Sequence, residues 1–399
     1  MAFSLTTIRA FSLLLLLLAA LPLGSSLAAQ QQEFTFVYLY QGGDPAYATQ
    51  RAYTGLKLRE RKRPLAGAET AVKEVRILGR ALGLAFELES AELPAVADPA
   101  EQLRDLITRG SRIFLLDLPL EQVRRLANDF SDENVMLFNI RHGDSDLRQD
   151  NCNSRLFHTI PSLAMRSDAL AQFLAARDWP RVLVLEGEAE ADKNFSVAFQ
   201  ASARKFGLSV VAVHPFVLSN DPRQRDQNNV TLLTAAPAHD VILLADEYGE
   251  FGRYVPYATY LPRPVVGSEG LVPSAWHWTW ERHGAPQLNQ RFDKIAGHPM
   301  SDEDWAAWAA VRAVVEAIAR AKSTEVARLR EVMVDAEFTF DLYKGFPGSF
   351  RHWDHQLRQA VLLHTHNAVI DLAPLPGFLH ERNNLDTLGI DERESRCRL

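Results

Sequence analysis

Ile113-Phe-Leu-Leu116, then Glu121 to Phe130, then Val135-Met-Leu-Phe-Asn-Ile140, is the stretch on which the fold turns. It reads as a buried strand, a helix and a second buried strand. Short apolar runs like these suit a parallel sheet covered on both faces. The same rhythm runs upstream. Phe34-Thr-Phe-Val-Tyr-Leu-Tyr40 is strand-like and ends at a turn cluster, Gln41-Gly-Gly-Asp-Pro45. A long helical stretch is expected from about Ala48 to Leu82, with a break near Pro64-Leu-Ala-Gly67, and Leu84-Ala-Phe-Glu-Leu-Glu89 reads as a strand. Pro99 to Thr108 reads as a helix with Asp98 at its N-cap.

The loop from Arg141 to Ser154 interrupts the alternation, which then restarts. Helices are expected over Ala164–Arg177 and Ala191–Phe206, with strands over Arg181–Leu185, Ser209–Phe216 and Val241–Ala245. Val230–Ala236 reads as helical, and a short helix is expected over Gly249–Tyr257. Later, Asp302 to Lys322 is an amphipathic, alanine-rich helix capped by Ser301, followed by a helix over Thr324–Val334 and a strand- and turn-rich tail. The fold class is α/β, in two units of similar size.

At 399 residues the chain has room for two domains. Its net charge of −7 argues against general nucleic-acid binding, which needs a basic face. The basic run Arg59-Glu-Arg-Lys-Arg63 reads as a solvated helix face. Arg9, the leucine run Leu13 to Leu18 and the small residues up to Ala29 have the anatomy of a secretory signal peptide, cleaved near Ala28-Ala29. No cysteine follows it to carry a lipid, so an exported, soluble protein is expected. Export favours a disulfide between the only two cysteines, Cys152 and Cys397, with two free thiols as the alternative. Closing a loop of that length would stabilise by roughly 5 kcal/mol in the chain-entropy model.

Enzyme signatures are missing: there is no Walker-type loop and no Gly-x-Gly-x-x-Gly after the first strand. The pairs His364/His366 and His352/His355 are too sparse for a metal site. No catalytic residue, metal ligand or required cofactor is expected. Polar residues do gather at the carboxyl ends of strands, where open parallel sheets bind ligands. In the first unit these are Tyr40, Gln41, Asp117, Asn139, Arg141 and His142; in the second, Asp246, Glu247, Tyr248, Ser268 and Glu269. Together they suggest a cleft between two units.

Trp276-His-Trp-Thr-Trp280 carries three indoles two residues apart. On a strand they would share one face as an aromatic stripe. Trp276, Trp278 and Trp280 then either wall a flat ligand or pack core where the units meet.

An exported pair of α/β units resembles a type 1 periplasmic solute-binding protein, the kind that serves branched-chain amino acid ABC importers. Val266-Gly-Ser-Glu-Gly270 is similar to that family's Gly-x-Glu-Gly turn, and Leu244-Ala-Asp-Glu-Tyr248 sits where the family places a ligand contact. Trp305-Ala-Ala-Trp-Ala-Ala-Val-Arg312 resembles the helix after the family's second crossing. The resemblance implies two Rossmann-like lobes with a ligand cleft at the hinge, a monomer, and an ABC permease as partner. It implies that Glu269 lines the cleft and holds a ligand ammonium. Where amino-acid binders carry small hydroxyls for the ligand carboxylate, this chain has Asp117-Leu-Pro119 and Asn139-Ile-Arg-His142. Arginine grips carboxylates bidentately, so a larger acidic ligand is expected.

More narrowly, Trp280-Glu-Arg-His-Gly-Ala-Pro-Gln-Leu288 and the ending Leu385-Asp-Thr-Leu-Gly-Ile-Asp-Glu-Arg-Glu-Ser-Arg-Cys397 resemble a subgroup associated with PQQ-dependent alcohol dehydrogenase systems. That implies pyrroloquinoline quinone (PQQ), planar and tricarboxylic, as bound ligand. The three tryptophans would stack on it, and Arg141, Arg282 and Arg351 would hold its carboxylates. The alternatives are a sensor or accessory protein of a periplasmic PQQ-dependent dehydrogenase, or a receptor for another aromatic or amino-acid-like acid. The expected layout is a signal peptide (1–29), lobe 1 (30–155), lobe 2 (156–275), a return to lobe 1 (276–336), and completion of lobe 2 with a tail (337–399).

Overall fold

The structure is a computed structural model describing residues 31–52, 55–58, 60–94, 98–219 and 221–399. The signal-peptide expectation lies outside the described residues. Among those described, no helix is long and apolar enough to cross a membrane.

The first lobe begins with β1 (Gln32–Gln41), α1 (Leu65–Ala81), β2 (Leu84–Leu93), α2 (Pro99–Thr108) and β3 (Ile113–Asp117). It continues with α3 (Leu120–Asp129), β4 (Met136–Asn139) and β5 (Leu156–His158). All five strands are parallel, in the order β2-β1-β3-β4-β5. Every residue of β3 and β4 is buried, as expected for strands covered on both faces. Asp98 caps α2 through the Ala100 N–H, with Pro99 at the first turn, where its missing N–H costs nothing.

The second lobe comprises α4 (Leu163–Ala176), β6 (Arg181–Glu186), α5 (Glu190–Lys205), β7 (Ser209–Pro215), β8 (Val241–Ala245) and β9 (Val265–Gly267). Its four strands are again parallel, in the order β7-β6-β8-β9. Short helical turns occupy Val230–Leu233 and Val255–Ala258. The chain then enters β10 (Val272–Ser274) and returns to lobe 1 as α6 (Ala285–Ala296), α7 (Asp302–Ala321) and α8 (Val326–Val334). The Ser301 hydroxyl and the Asp304 carboxylate cap α7 reciprocally, a full capping box. These helices join α1 in one core with the inner face of β1, β4 and β5.

The segment after α8 divides between the lobes. The hairpin strands β11 (Phe340–Asp341), β12 (Pro347–Phe350) and β13 (Leu357–Arg358) place Phe340, Phe350 and Leu357 in the lobe 1 core. The strand β14 (Val361–His364) pairs with β10 on one side and with β15 (Val369–Ala373) on the other, and the two place Val361, Leu363 and Ala373 in the lobe 2 core.

Two local expectations fail, and one helix was not foreseen. The helix expected from Ala48 begins only at Leu65, with Pro64 at its N-cap. A residue before proline is disfavoured in the α region, so Arg63 falls outside the helix that starts after Pro64. The helix α6 escaped notice because its apolar face is confined to Ala285, Leu288 and Phe292. The three tryptophans do not lie on a strand: β10 ends at Ser274, and Trp278-Thr279 is a turn.

Candidate functional site

In each sheet the strand order reverses once, between β1 and β3 in lobe 1 and between β6 and β8 in lobe 2. A ligand crevice in an open α/β sheet forms beyond the strand ends at such a reversal. In lobe 1, Tyr40 and Asp117 are register partners there.

Asp117 is the hub. It has no exposed surface, and its carboxylate accepts from Tyr38 Oη (2.7 Å), Tyr47 Oη (2.5 Å), Arg63 Nη1 (2.8 Å) and Arg141 Nη1 (3.3 Å). Arg141 also donates to Asp44 Oδ2 at 2.6 Å, and Arg63 Nη2 to the Gln41 carbonyl at 2.5 Å. The Arg63 guanidinium lies 4.5 Å from the centre of the Tyr40 ring and 4.4 Å from that of Tyr47, within cation–π reach of both. Burial and the neighbouring Asp117 carboxylate raise the pKa of both Tyr38 and Tyr47, keeping their hydroxyls as neutral donors. Burial alone would raise the Asp44 pKa, but the bonds from Arg141 and the Ala46 N–H hold it below the ordinary range. Burial opposes the Arg141 charge and is outweighed by Asp44, Tyr47 and Asp117, so its pKa rises. Two carboxylates and two guanidiniums thus neutralise one another in a prebuilt cluster.

Arg141 and His142 are aimed by Asn139, whose Oδ1 accepts both their backbone N–H groups, at 3.2 and 2.8 Å. The His142 ring is committed at Nε2 to the Leu118 carbonyl at 2.6 Å, and burial lowers its pKa. Gln41 accepts from Gln122 Nε2 at 2.8 Å.

Lobe 2 offers the opposite character. Asp246 is buried and accepts from the N–H groups of Gly249 (3.0 Å) and Gly252 (2.6 Å). Asp192 accepts from the Glu247 N–H at 2.6 Å; burial, with Asp246 and Glu247 close by, pushes its pKa up to about 6. Gly267 has φ +113°, and a Cβ there would lie 2.3 Å from the Leu244 carbonyl, so the Gly-Ser-Glu-Gly turn folds tightly against β8. That turn brings Glu269 beside Asp246, both about Gly252. The lobes meet where Arg61 pairs with Glu247.

Tyr40, Gln41, Asp117, Arg141 and His142 therefore gather in lobe 1, and Asp246, Glu247 and Glu269 in lobe 2. Asn139 and Ser268 join them, the latter by accepting from the Asp246 N–H at 3.0 Å, whereas the tryptophans, Arg282 and Arg351 do not. Trp276 is buried in the lobe 1 core, stacks on Trp305 and donates from Nε1 to Asn289 at 2.8 Å. Trp280 is in the same core and donates from Nε1 to the Tyr343 carbonyl at 2.9 Å. Trp278 alone is 50% exposed. The shared indole wall is thus corrected: Trp276 and Trp280 pack in the core and Trp278 turns outward, because no strand carries the three residues. Arg282 is exposed on the turn ahead of α6. Arg351 is corrected from ligand contact to internal anchor: it is buried, with Nε on Asp386 (2.9 Å) and Nη2 on the Leu388 carbonyl (2.6 Å). His352 to His355 form a turn, and among the described residues no group of three His, Cys, Asp or Glu is placed to hold a metal.

Asp44, Tyr47 and Arg63 are the residues missed. The Gly42-Gly-Asp-Pro45 cluster was legible as a turn, and Arg63-Pro64 was the signal that the basic run leaves the helix.

The family model for the periplasmic binding protein matches residues 62–367. No curated protein matches the sequence significantly. An amino acid ABC transporter substrate-binding protein from Pseudomonas fluorescens Pf-5 superposes with a TM-score of 0.66 at 14% identity, over 92% of this chain and 99% of that one. A leucine-, isoleucine-, valine-, threonine- and alanine-binding protein from Brucella ovis, in its closed conformation, gives 0.65 at 14%, over 86% and 92%. An ABC transporter solute-binding protein from R. palustris, in complex with benzoate, gives 0.63 at 12%, over 91% and 99%. At these identities the likeness bears on the fold.

Proposed function

Because the chain belongs to the periplasmic binding protein family, we propose that it is the solute-binding component of an ABC importer, exported to the periplasm, closing two lobes on a small organic acid and presenting it to a membrane permease. Closure is a hinge motion driven by the ligand's higher affinity for the closed state. The observation that carries the reading is the Asp117 hub at the lobe 1 strand reversal, facing the carboxylates of lobe 2 across the Arg61–Glu247 contact.

The two sides differ in what they ask of a ligand. The lobe 1 side offers the Arg63 guanidinium and the Tyr40 and Tyr47 rings, which suit a carboxylate attached to a flat group. The lobe 2 side carries Asp246, Glu247 and Glu269, which suit an ammonium. A zwitterion with an aromatic body, such as an aromatic amino acid, satisfies both. The neighbours named for amino acids and for benzoate agree with the two halves of this description. PQQ is the narrower ligand. It has lost the indole wall and would set three carboxylates against an acidic lobe, so it ranks below the zwitterion.

Calorimetric titration of the ligand-stripped protein with aromatic amino acids, benzoate and PQQ tests the ranking. One-to-one saturable heat is expected with the zwitterions and weaker heat with benzoate. Tight binding of PQQ alone would reverse the assignment, and no heat from any of them would remove this ligand class.

A further inference from the structure

The chain passes between the lobes three times, between His158 and Leu163, between Ser274 and Trp276, and between Arg358 and Val361. Its C-terminal tail makes a fourth connection. After β15, Leu375 and Leu388 join the lobe 2 core. The Leu375 N–H donates to Gln172 Oε1 of α4 (3.0 Å), and Gln172 Nε2 donates to Thr387 Oγ1 (3.0 Å). The Gly389 N–H donates to Asp168 Oδ2 (2.7 Å), and Lys205 of α5 donates to the Gly389 carbonyl (2.9 Å). Up to Gly389, then, the tail is bolted to lobe 2.

By Arg396 it is bolted to lobe 1. The Arg396 N–H donates to Gln149 Oε1 (2.9 Å), and its guanidinium holds Asp150 through Nε (2.8 Å) and Nη2 (2.6 Å). Cys397, almost fully buried, is disulfide-bonded to Cys152. Within the span held by lobe 2, Asp386 already reaches lobe 1, accepting from both Arg351 and Arg358 of the β12–β13 hairpin, at 2.9 Å each. That hairpin belongs to lobe 1: Phe350 packs edge-on against Phe157, and the His158 N–H donates to the His355 carbonyl.

The loop that receives the tail is the one that starts at Arg141. Within it Arg148, fully buried, donates to the carbonyls of His142 (3.0 Å), Asp144 (2.8 Å) and Ile160 (3.1 Å) and to Gln356 Oε1 (2.6 Å). One continuous set of bonds therefore runs from the lobe 2 helices, through the tail, to the loop that holds a ligand-side arginine.

We propose that the C-terminal tail from Leu375 to Cys397 is a hinge strap: it limits how far the lobes part and holds the Arg141 loop in place. Three chain crossings alone leave the lobes free to swing about the hinge. A fourth link, closed covalently, removes the widest openings from the ligand-free ensemble, and binding is stronger when fewer non-competent states compete. The strap rests on the two-lobe receptor reading and is independent of which ligand fills the cleft.

The test is the full-length double variant Cys152→Ser/Cys397→Ser, compared with the unaltered protein by solution X-ray scattering without ligand and by amide hydrogen exchange. The expected result is a larger radius of gyration, with exchange faster by about tenfold or more across residues 141–152 as well as in the tail. Unchanged scattering, with faster exchange confined to 390–399, would overturn the strap and leave the bridge a simple fastening of the terminus. If the double variant does not fold, the folded protein treated with a dithiol provides the same comparison. The dithiol supplies two electrons and two protons, closes to its own disulfide and leaves Cys152 and Cys397 as thiols. Neither measurement uses a ligand, so wider opening beside a failed titration would retain the strap and reject only the ligand assignment.

Discussion

Trp276 and Trp280, and the pair Tyr40 and Tyr47, belong to the same lobe; Trp276, Trp280 and Tyr40 were expected to share the same work, and Tyr47 was not foreseen. The two indoles went into the core with Trp305 and Tyr343, while the two phenol rings flank a guanidinium at the sheet's strand reversal. Close spacing in sequence drew attention to the tryptophans, yet spacing selects a face only when the backbone is a strand. The tyrosines sit where β1 ends and the next turn begins, so the sheet topology brings them to the strand reversal. An aromatic side chain becomes available to a ligand through its place in the topology, and a concentration of indoles is by itself a sign of core.

That contrast can be broken most easily at the tryptophans. Trp280→Ala removes a buried indole and leaves the Tyr343 carbonyl without its donor, so a loss of about 3–5 kcal/mol is expected. Trp278→Ala, at a half-exposed position, is expected to stay within about 0.5 kcal/mol. Chemical denaturation of the two variants gives the comparison directly; equal losses would mean the two indoles are not in different environments.

A smaller effect is expected at the hub. Asp117→Asn replaces the charged acceptor of four donors and should cost about 1–3 kcal/mol of stability. It should also weaken ligand binding, whereas Trp280→Ala should leave the affinity of the folded fraction unchanged. Titrating both variants separates binding residues from packing residues, and matching affinities would erase the distinction between the two aromatic groups.

The smallest effect concerns pH and the opposite lobe. The folded-state pKa of Asp192 is about 6, above the ordinary 3.8, chiefly because the residue is buried. Between those values the folded chain holds a proton that the unfolded chain has released. This residue's contribution to stability therefore falls as pH rises from about 4 to about 6 and is level above that. Asp192→Asn should flatten that part of a melting-temperature profile, and an unchanged profile would show that the carboxylate titrates normally.

Much of the architecture was legible because it is local. The strands β3, β4 and β8 follow from short apolar runs, α2 from Asp98-Pro99, and α7 from Ser301 with its alanine-rich face. Less was legible where local signals were faint or misread. The short strand β5 makes its case only by pairing with β4, and α6 shows a narrow apolar face. The basic run up to Arg63 looked like a helix surface, although its following proline disfavours that course. At the strand ends, five of the expected residues gather in lobe 1 and three in lobe 2, since the carboxyl ends of neighbouring parallel strands lie side by side.

What the amino-acid sequence determined by itself was the alternation of strands and helices, their buried or solvated faces and the caps that end them, because each depends on neighbours a few residues away. Only the tertiary structure decided which groups share Asp117. Its donors Tyr38, Tyr47, Arg63 and Arg141 lie 79, 70, 54 and 24 residues distant along the chain. It likewise turned Arg351 inward to Asp386 and the tail back to Cys152. A buried charge must find its partner wherever the packed lobes bring one, and no periodicity along the chain records that meeting.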